Sequence, residues 1–218
     1  MTNISVKIVS DTVCPWCYIG KKRLDKAIDL YRKVYPGGKD DTFSVTWAPF
    51  YLDPTSPKVG VPLTERMTQR FGAERLAALQ QRLTLLGGEE GIAFSFRGRV
   101  GNTRDSHRLI QLGKTKGADV ENRVVLELFK DYFEGEGDIT SHDMLLAAAE
   151  KAGLDKAEVK NWLDTDKGGK EVDEEVQEAY AKDIHGVPHF TIQGKYEVDG
   201  AQDAQAFLEA FARVKEGK

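Results

Sequence analysis

"DTVCPWCYIGKK" (residues 11–22) holds both cysteines of the chain, separated only by Pro15 and Trp16. Ahead of it, Ile4, Val6 and Ile8 alternate with Ser5 and Lys7, the period of a strand with one face more buried. Behind it, Leu24, Ala27, Ile28 and Tyr31 recur at helical spacing until "PGGKDD" (36–41) ends the run. "FSVTWAPFYL" (43–52) reads as a second strand, with Phe43, Val45 and Trp47 on one face. Strand, helix and strand joined by so long a connection predict a parallel, right-handed crossover.

From about Pro62 to Lys182 the pattern turns helical. Met67 and Phe71, then Leu76, Leu79, Leu83 and Leu86, mark one or two amphipathic helices stopped by Gly87-Gly88. Leu109 and Leu112 mark another, and Val120, Val124, Leu128 and Tyr132 a strong one. Ser141 is the expected N-cap of "HDMLLAAAEKA", with Gly153 as its stop. Further helices surround Trp162 and the run Val172, Val176 and Ala179; no fixed-period repeat suggests a solenoid. Strand character returns in "VPHFTIQGKYEVDG" (187–200), a predicted hairpin turning at Gln193-Gly194. A last helix carries Phe207, Leu208, Phe211 and Val214 on one face and is capped by Asp203. With the middle removed, β-α-β plus β-β-α remains: an open α/β sheet with a helical insertion.

The chemistry sits at the cysteines. Proline is favoured at the first helical position, where its missing N–H has no partner to lose. Pro15 at that position makes Cys14 the N-cap and Cys17 the third helical residue. The Cys14 sulfur is then expected to face the free amides of Trp16 and Cys17 and the positive end of the helix dipole, a placement that favours thiolate. Cys17, one turn on, is placed to resolve a mixed disulfide formed at Cys14. Two other readings compete. Cys14 and Cys17 could join His185 and His189 in a zinc site, but Gly186 and Pro188 interrupt the histidine pair. Two inert buried thiols are the other. C-x-x-C beside a βαβ pattern favours a redox dithiol.

Composition narrows the field. The chain has 218 residues, enough for a sizeable core, and a formal charge of −4 with no basic stripe, so nucleic acid is not an expected partner. Its apolar runs fall short of the roughly 20 residues that span a bilayer, and no membrane partner is expected. "MTNISVKIVSD" lacks the apolar stretch of a signal peptide, so a cytoplasmic location, where thiols stay reduced, is the expectation.

Motif order adds a resemblance. "SDTVCPWCYIGKKRL", "WAPFYLDP", "GNTRDSHRLI", "LFKDYFEGEGDI", "GVPHFTI" and "DGAQDAQAF" follow one another as in the DsbA-like thioredoxin superfamily, most closely its FrnE-like branch of cytoplasmic oxidoreductases. The resemblance implies a discontinuous thioredoxin-like domain over 1–60 and 183–218, with an all-helical insertion over 61–182. It implies a thiol–disulfide oxidoreductase acting on protein or small-molecule thiols and disulfides. Cys14 is then the nucleophile, Cys17 the resolving thiol, and Pro188 the cis residue of a docking loop.

That loop would leave the Val187 backbone free to pair with an extended peptide or with glutathione. Pro15 and Trp16 would rim the substrate site. Asn102, Thr103 and His107 would line a groove between insertion and core, although capping and packing explain them as well. Gly200, Ala201 and Gln202 open the last helix, whose free amides could hold a glutathione carboxylate; a plain turn and cap explains them equally. His189 stands where relatives carry a small residue, and is expected to face solvent rather than Cys14. Asp11 is read as a turn residue at the strand exit. No tightly bound cofactor or metal is implied, glutathione serves at most as co-substrate, and a monomer or homodimer is expected. The alternatives are a glutathione-dependent transferase or isomerase of the kappa-class type, which usually carries serine in place of Cys14, and a non-catalytic peptide-binding module.

Overall fold

The alternation of Ile4, Val6 and Ile8 becomes β1 (Asn3–Ser10), whose three apolar side chains are wholly buried, in a computed structural model that describes residues 1–217. The chain turns at Asp11, where the carbonyl accepts the Cys14 N–H at 3.0 Å, and enters α1 (Pro15–Val34). This helix buries Leu24, Ala27, Ile28 and Tyr31, as its spacing predicts. After a short 3-10 turn at Gly38–Asp40 comes β2 (Thr42–Pro49), parallel to β1 in the register Val6 to Val45 and Ile8 to Trp47. The strand stops earlier than its sequence pattern. Beyond Pro49, Phe50 still donates to the Ser10 carbonyl, but the Leu52 N–H turns to the Asp11 carboxylate.

The segment that follows is not all-helical. Two short strands, β3 (Val61–Pro62) and β4 (Arg99–Val100), pair antiparallel and pin the base of α2 (Leu63–Phe71) and α3 (Ala73–Glu89). Nor do Gly87 and Gly88 end α3. Gly91, at φ 74°, does: its N–H bonds Gly88 O and the Ile92 N–H bonds Gly87 O, the paired closure of a glycine-terminated helix. Gly87 is small for another reason, since a Cβ there would fall 2.5 Å from the Phe94 ring. Next come α4 (Arg104–Thr115), α5 (Ala118–Phe133), α6 (His142–Lys151), α7 (Lys156–Leu163) and α8 (Gly169–Ala181). Ser141 caps α6 through the Met144 N–H, and Gly153 closes it.

The hairpin β5 (His189–Ile192) and β6 (Tyr196–Asp199) turns through Gln193 and Gly194, both at positive φ. Asp203 then caps α9 (Ala204–Lys215) by accepting from the Gln205 and Ala206 N–H groups. The sheet order is β2-β1-β5-β6, with β5 antiparallel to β1. One continuous apolar cluster joins the sheet, α1 and α9 to α4, α5, α6 and α7. The β2 edge is covered rather than open: Trp47 N–H donates to Glu121, and Asn122 bonds both the Val45 carbonyl and the Trp47 indole.

Candidate active site

Both cysteines are free thiols, and the site forms where β1 ends and α1 begins. Cys14 is the N-cap and Pro15 the first helical residue, as the sequence predicts. The sulfur does not cap the helix, however. It turns toward the loop before β5 and donates to the Val187 carbonyl at 3.5 Å, while the Cys17 N–H reaches the Cys14 carbonyl at 3.0 Å. Cys17 is wholly buried behind Cys14, which retains 3% exposure. Burial first, then the adjoining Cys14 sulfur, pushes the Cys17 thiol well above the ordinary thiol range; hydrogen bonds from Ser10 and the Asp11 backbone pull against this.

The Val187–Pro188 peptide is cis. Pro188 Cγ lies 3.0 Å from where a Cβ on Gly20 would stand, so the loop rests directly on α1.

A second tier of contacts fixes the strand exit from the inserted helices. Thr12 and Ser106 share a buried hydroxyl–hydroxyl bond of 2.7 Å. His107 Nε2 is 3.2 Å from Phe50 O and 3.4 Å from Asp11 Oδ1. Asp11 is therefore more than a turn residue. Its carbonyl closes the turn, while its carboxylate is 1% exposed, with Oδ2 holding Leu52 N–H and Oδ1 lacking a hydrogen-bond partner.

A cavity of about 360 Å³ opens beside Cys14, lined by Cys14, Pro15, Trp16, Thr103 and Val187 on the dithiol side. Its other walls come from α2 and α3 through Met67, Leu79 and Leu83, and from Phe94, Phe96 and Phe133. Their helical spacing reads as ordinary core; the missed signal was more apolar surface on α2 and α3 than two packed helices need, and α2 buries no residue fully. Arg82 lies over the Trp16 ring at 5.2 Å, steadying the rim.

Other expected residues lie elsewhere. Asn102, just ahead of the α4 N-cap Thr103, accepts the Arg104 N–H and does not line the cavity, and His107 sits beneath it. His189 faces neither solvent nor Cys14. It is paired in register with Asp199 on β6, and its Nδ1 stands 2.6 Å from Asp199 Oδ1, leaving the residue 7% exposed. His185 is exposed beside Asp183. Gly200, Ala201 and Gln202 form a turn in which Gly200 N–H bonds Pro188 O and the Ala201 carbonyl accepts from Arg23. Of the α9 amides expected to be free, those of Gln205 and Ala206 are taken by Asp203.

Residues 5–212 match the DSBA-like thioredoxin domain. The chain belongs to that family. Members of the DSBA-like family are generally disulfide oxidoreductases and isomerases, and the fold is also shared by a 2-hydroxychromene-2-carboxylate isomerase, 16% identical with a TM-score of 0.72 over 98% of this chain and 97% of that one. A probable DsbA oxidoreductase from Streptomyces coelicolor is 30% identical, with a TM-score of 0.86 over 99% of this chain and 91% of that one. YwbO of Bacillus subtilis (strain 168) is 28% identical over 99% of both chains. The cytosolic disulfide reductase DsbM from Pseudomonas aeruginosa, solved with GSH, shares the fold at 15% identity and a TM-score of 0.63, covering 96% of this chain and 99% of its own. Among the described residues of this DSBA-like chain, no helix is long and apolar enough to cross a membrane.

Proposed function

We propose that the protein is a thiol–disulfide oxidoreductase of the FrnE-like branch, with Cys14 as nucleophile and Cys17 as resolving thiol. The supporting observation is the asymmetry of the pair: Cys14 heads α1 and lines the cavity, whereas Cys17 is sealed beneath it. A substrate disulfide meets Cys14 first. The Cys14 thiolate attacks one substrate sulfur, and the other leaves as thiolate. Cys17 then attacks the Cys14 sulfur, releasing the second substrate thiol and leaving a Cys14–Cys17 disulfide. Two electrons pass from the dithiol to the substrate.

The Pro188 loop is the docking edge in this reading, since Val187 carries its carbonyl to the Cys14 sulfur. A thiol such as glutathione returns the dithiol to its reduced form, and the cytoplasm is the working compartment; the likeness to DsbM, described as cytosolic and solved with GSH, supports both. The start of α9 is a weaker candidate for holding a glutathione carboxylate, because Asp203 already accepts the Gln205 and Ala206 N–H groups.

Reduction of insulin and of glutathione disulfide tests the proposal. The Cys14→Ser variant should lose activity in both assays. Cys17→Ser should accumulate a mixed disulfide with substrate at Cys14, visible by mass spectrometry. Full activity in Cys14→Ser, or an adduct at Cys17 in place of Cys14, rejects it.

A further inference from the structure

The cavity beside Cys14 combines two features that ordinary core packing does not. Its walls are mainly apolar and aromatic, with Arg66, Arg70 and Asp53 among them. Yet Tyr132 Oη, a buried polar atom on a lining residue, has no hydrogen-bond partner, and Asp11 Oδ1 has only His107 Nε2 at 3.4 Å. Buried polar atoms are nearly always satisfied, and leaving one bare carries a desolvation penalty. A volume of about 360 Å³ lies at the lower end of the range for small-ligand sites, roughly 300–1,000 Å³. Helices α2 and α3 wall the side away from the dithiol, and the volume suits one compact group rather than a continuing polypeptide.

We infer that the cavity takes one half of a low-molecular-weight disulfide, an apolar thiol carrying a hydroxyl or amide donor that reaches Tyr132 Oη. The inference rests on the oxidoreductase reading and names the substrate class for it. That half of the substrate is the one that becomes bonded to Cys14. Attack by the Cys14 thiolate forms the Cys14–S–S–R bond and expels the other half as thiolate. Attack by Cys17 breaks that bond, and RS⁻ leaves the cavity. The protons lost by Cys14 and Cys17 end on the two released thiols. A dithiol reductant in the assay supplies the electrons for the next turnover.

The test uses the wild-type protein and symmetric disulfides of ω-hydroxyalkanethiols with two-, four-, six- and eight-carbon chains, with dithiothreitol as reductant and the uncatalysed rate subtracted. Burying each added methylene should raise kcat/KM about fourfold until the cavity fills. Replacing the terminal hydroxyl of the eight-carbon compound by methyl should lower kcat/KM about fivefold or more, because Tyr132 Oη then stays unsatisfied. Leu79→Trp, which fills the cavity from α3, should cut the gain to less than about twofold per methylene.

A flat chain-length series in the wild type overturns the inference, as does a hydroxyl-to-methyl change without effect. So does a higher kcat/KM for an oxidised unstructured peptide than for the eight-carbon disulfide. Failure of the oxidoreductase reading looks different: none of the disulfides turns over. The cavity is then read by quenching of tryptophan fluorescence in the Cys14→Ser/Cys17→Ser double variant. 1-Octanol should bind there more tightly than 1-butanol, and equal affinities would leave the cavity without the apolar role assigned to it.

Discussion

At Cys17 the environment works against ionisation. The side chain is fully buried, and burial is the largest cause holding its thiol above the ordinary range; the adjoining Cys14 sulfur adds to it. Once Cys14 is locked in a mixed disulfide that contribution disappears, but burial remains. Only the thiolate attacks. The resolving step should therefore be the pH-sensitive half of the cycle. With 5,5′-dithiobis(2-nitrobenzoate), one thionitrobenzoate is released by attack of Cys14 and a second by resolution at Cys17. The second phase should quicken about tenfold per pH unit from pH 7 to 9, the behaviour of a thiol titrating above that window. A plateau reached by pH 8 would show Cys17 ionising like an ordinary thiol and contradict the assignment.

Two glycines show how much an element's surroundings decide. Gly20 in α1 faces the site: an added Cβ would stand 3.0 Å from both Pro188 Cγ and Phe190 Cζ. Phe190 cannot yield easily, being wholly buried with its ring edge-on to Phe207 at 4.8 Å. Gly88 in α3 has nothing within 4 Å. Alanine in a helix gains about 1 kcal/mol over glycine, whereas overpacking costs about 1–3 kcal/mol. Gly88→Ala should thus raise stability by up to about 1 kcal/mol, while Gly20→Ala should lower it by about 1 kcal/mol net. Gly20→Ala should also reduce kcat/KM for insulin, because the Pro188 loop is pushed off α1 and away from Cys14. Urea unfolding midpoints and turnover of the two variants check this, and equal stabilities would refute it. The sequence marks both positions only as glycine. The partner that separates them comes from residues 188 and 190, far along the chain, which local periodicity cannot supply.

At the scale of the whole molecule, period-2 and helical spacing disclosed β1, α1, β2, the hairpin and most inserted helices, because each buries one regular face. Pro15 placed Cys14 at the helix start. The His189–Asp199 pair lies within the hairpin and follows once its register about Gln193-Gly194 is fixed. The direction of the Cys14 sulfur and the cavity were not legible, since each depends on segments far apart in the chain. Glu121 belongs to the same class. Its carboxylate is carried by α5 to the β2 edge, where Oε1 accepts the Trp47 N–H at 3.2 Å and Oε2 has no partner. His107 and Lys114 of α4 and Glu175 of α8 are its ionisable neighbours, with His107 and Glu175 lining the same small void.

Burial, reinforced by Glu175 and opposed by the Trp47 N–H and Lys114, raises the Glu121 carboxyl from 4.5 to about 7. The folded state therefore keeps a proton that the unfolded chain has released above about pH 4.5. This contribution to stability is complete below that pH and is lost as pH rises through about 7, on the order of 2 kcal/mol. Asp41 and Asp53, both lowered to about 2, titrate well outside this window; their contributions fade only in stronger acid. Between pH 5 and 8 the wild type should lose stability that Glu121→Gln, which cannot ionise, does not lose. The difference between the two proteins' urea unfolding free energies should shift in favour of the variant by about 2 kcal/mol across that range. Parallel profiles would mean that Glu121 is charged in the folded protein, and that the covered edge of β2 holds an anion.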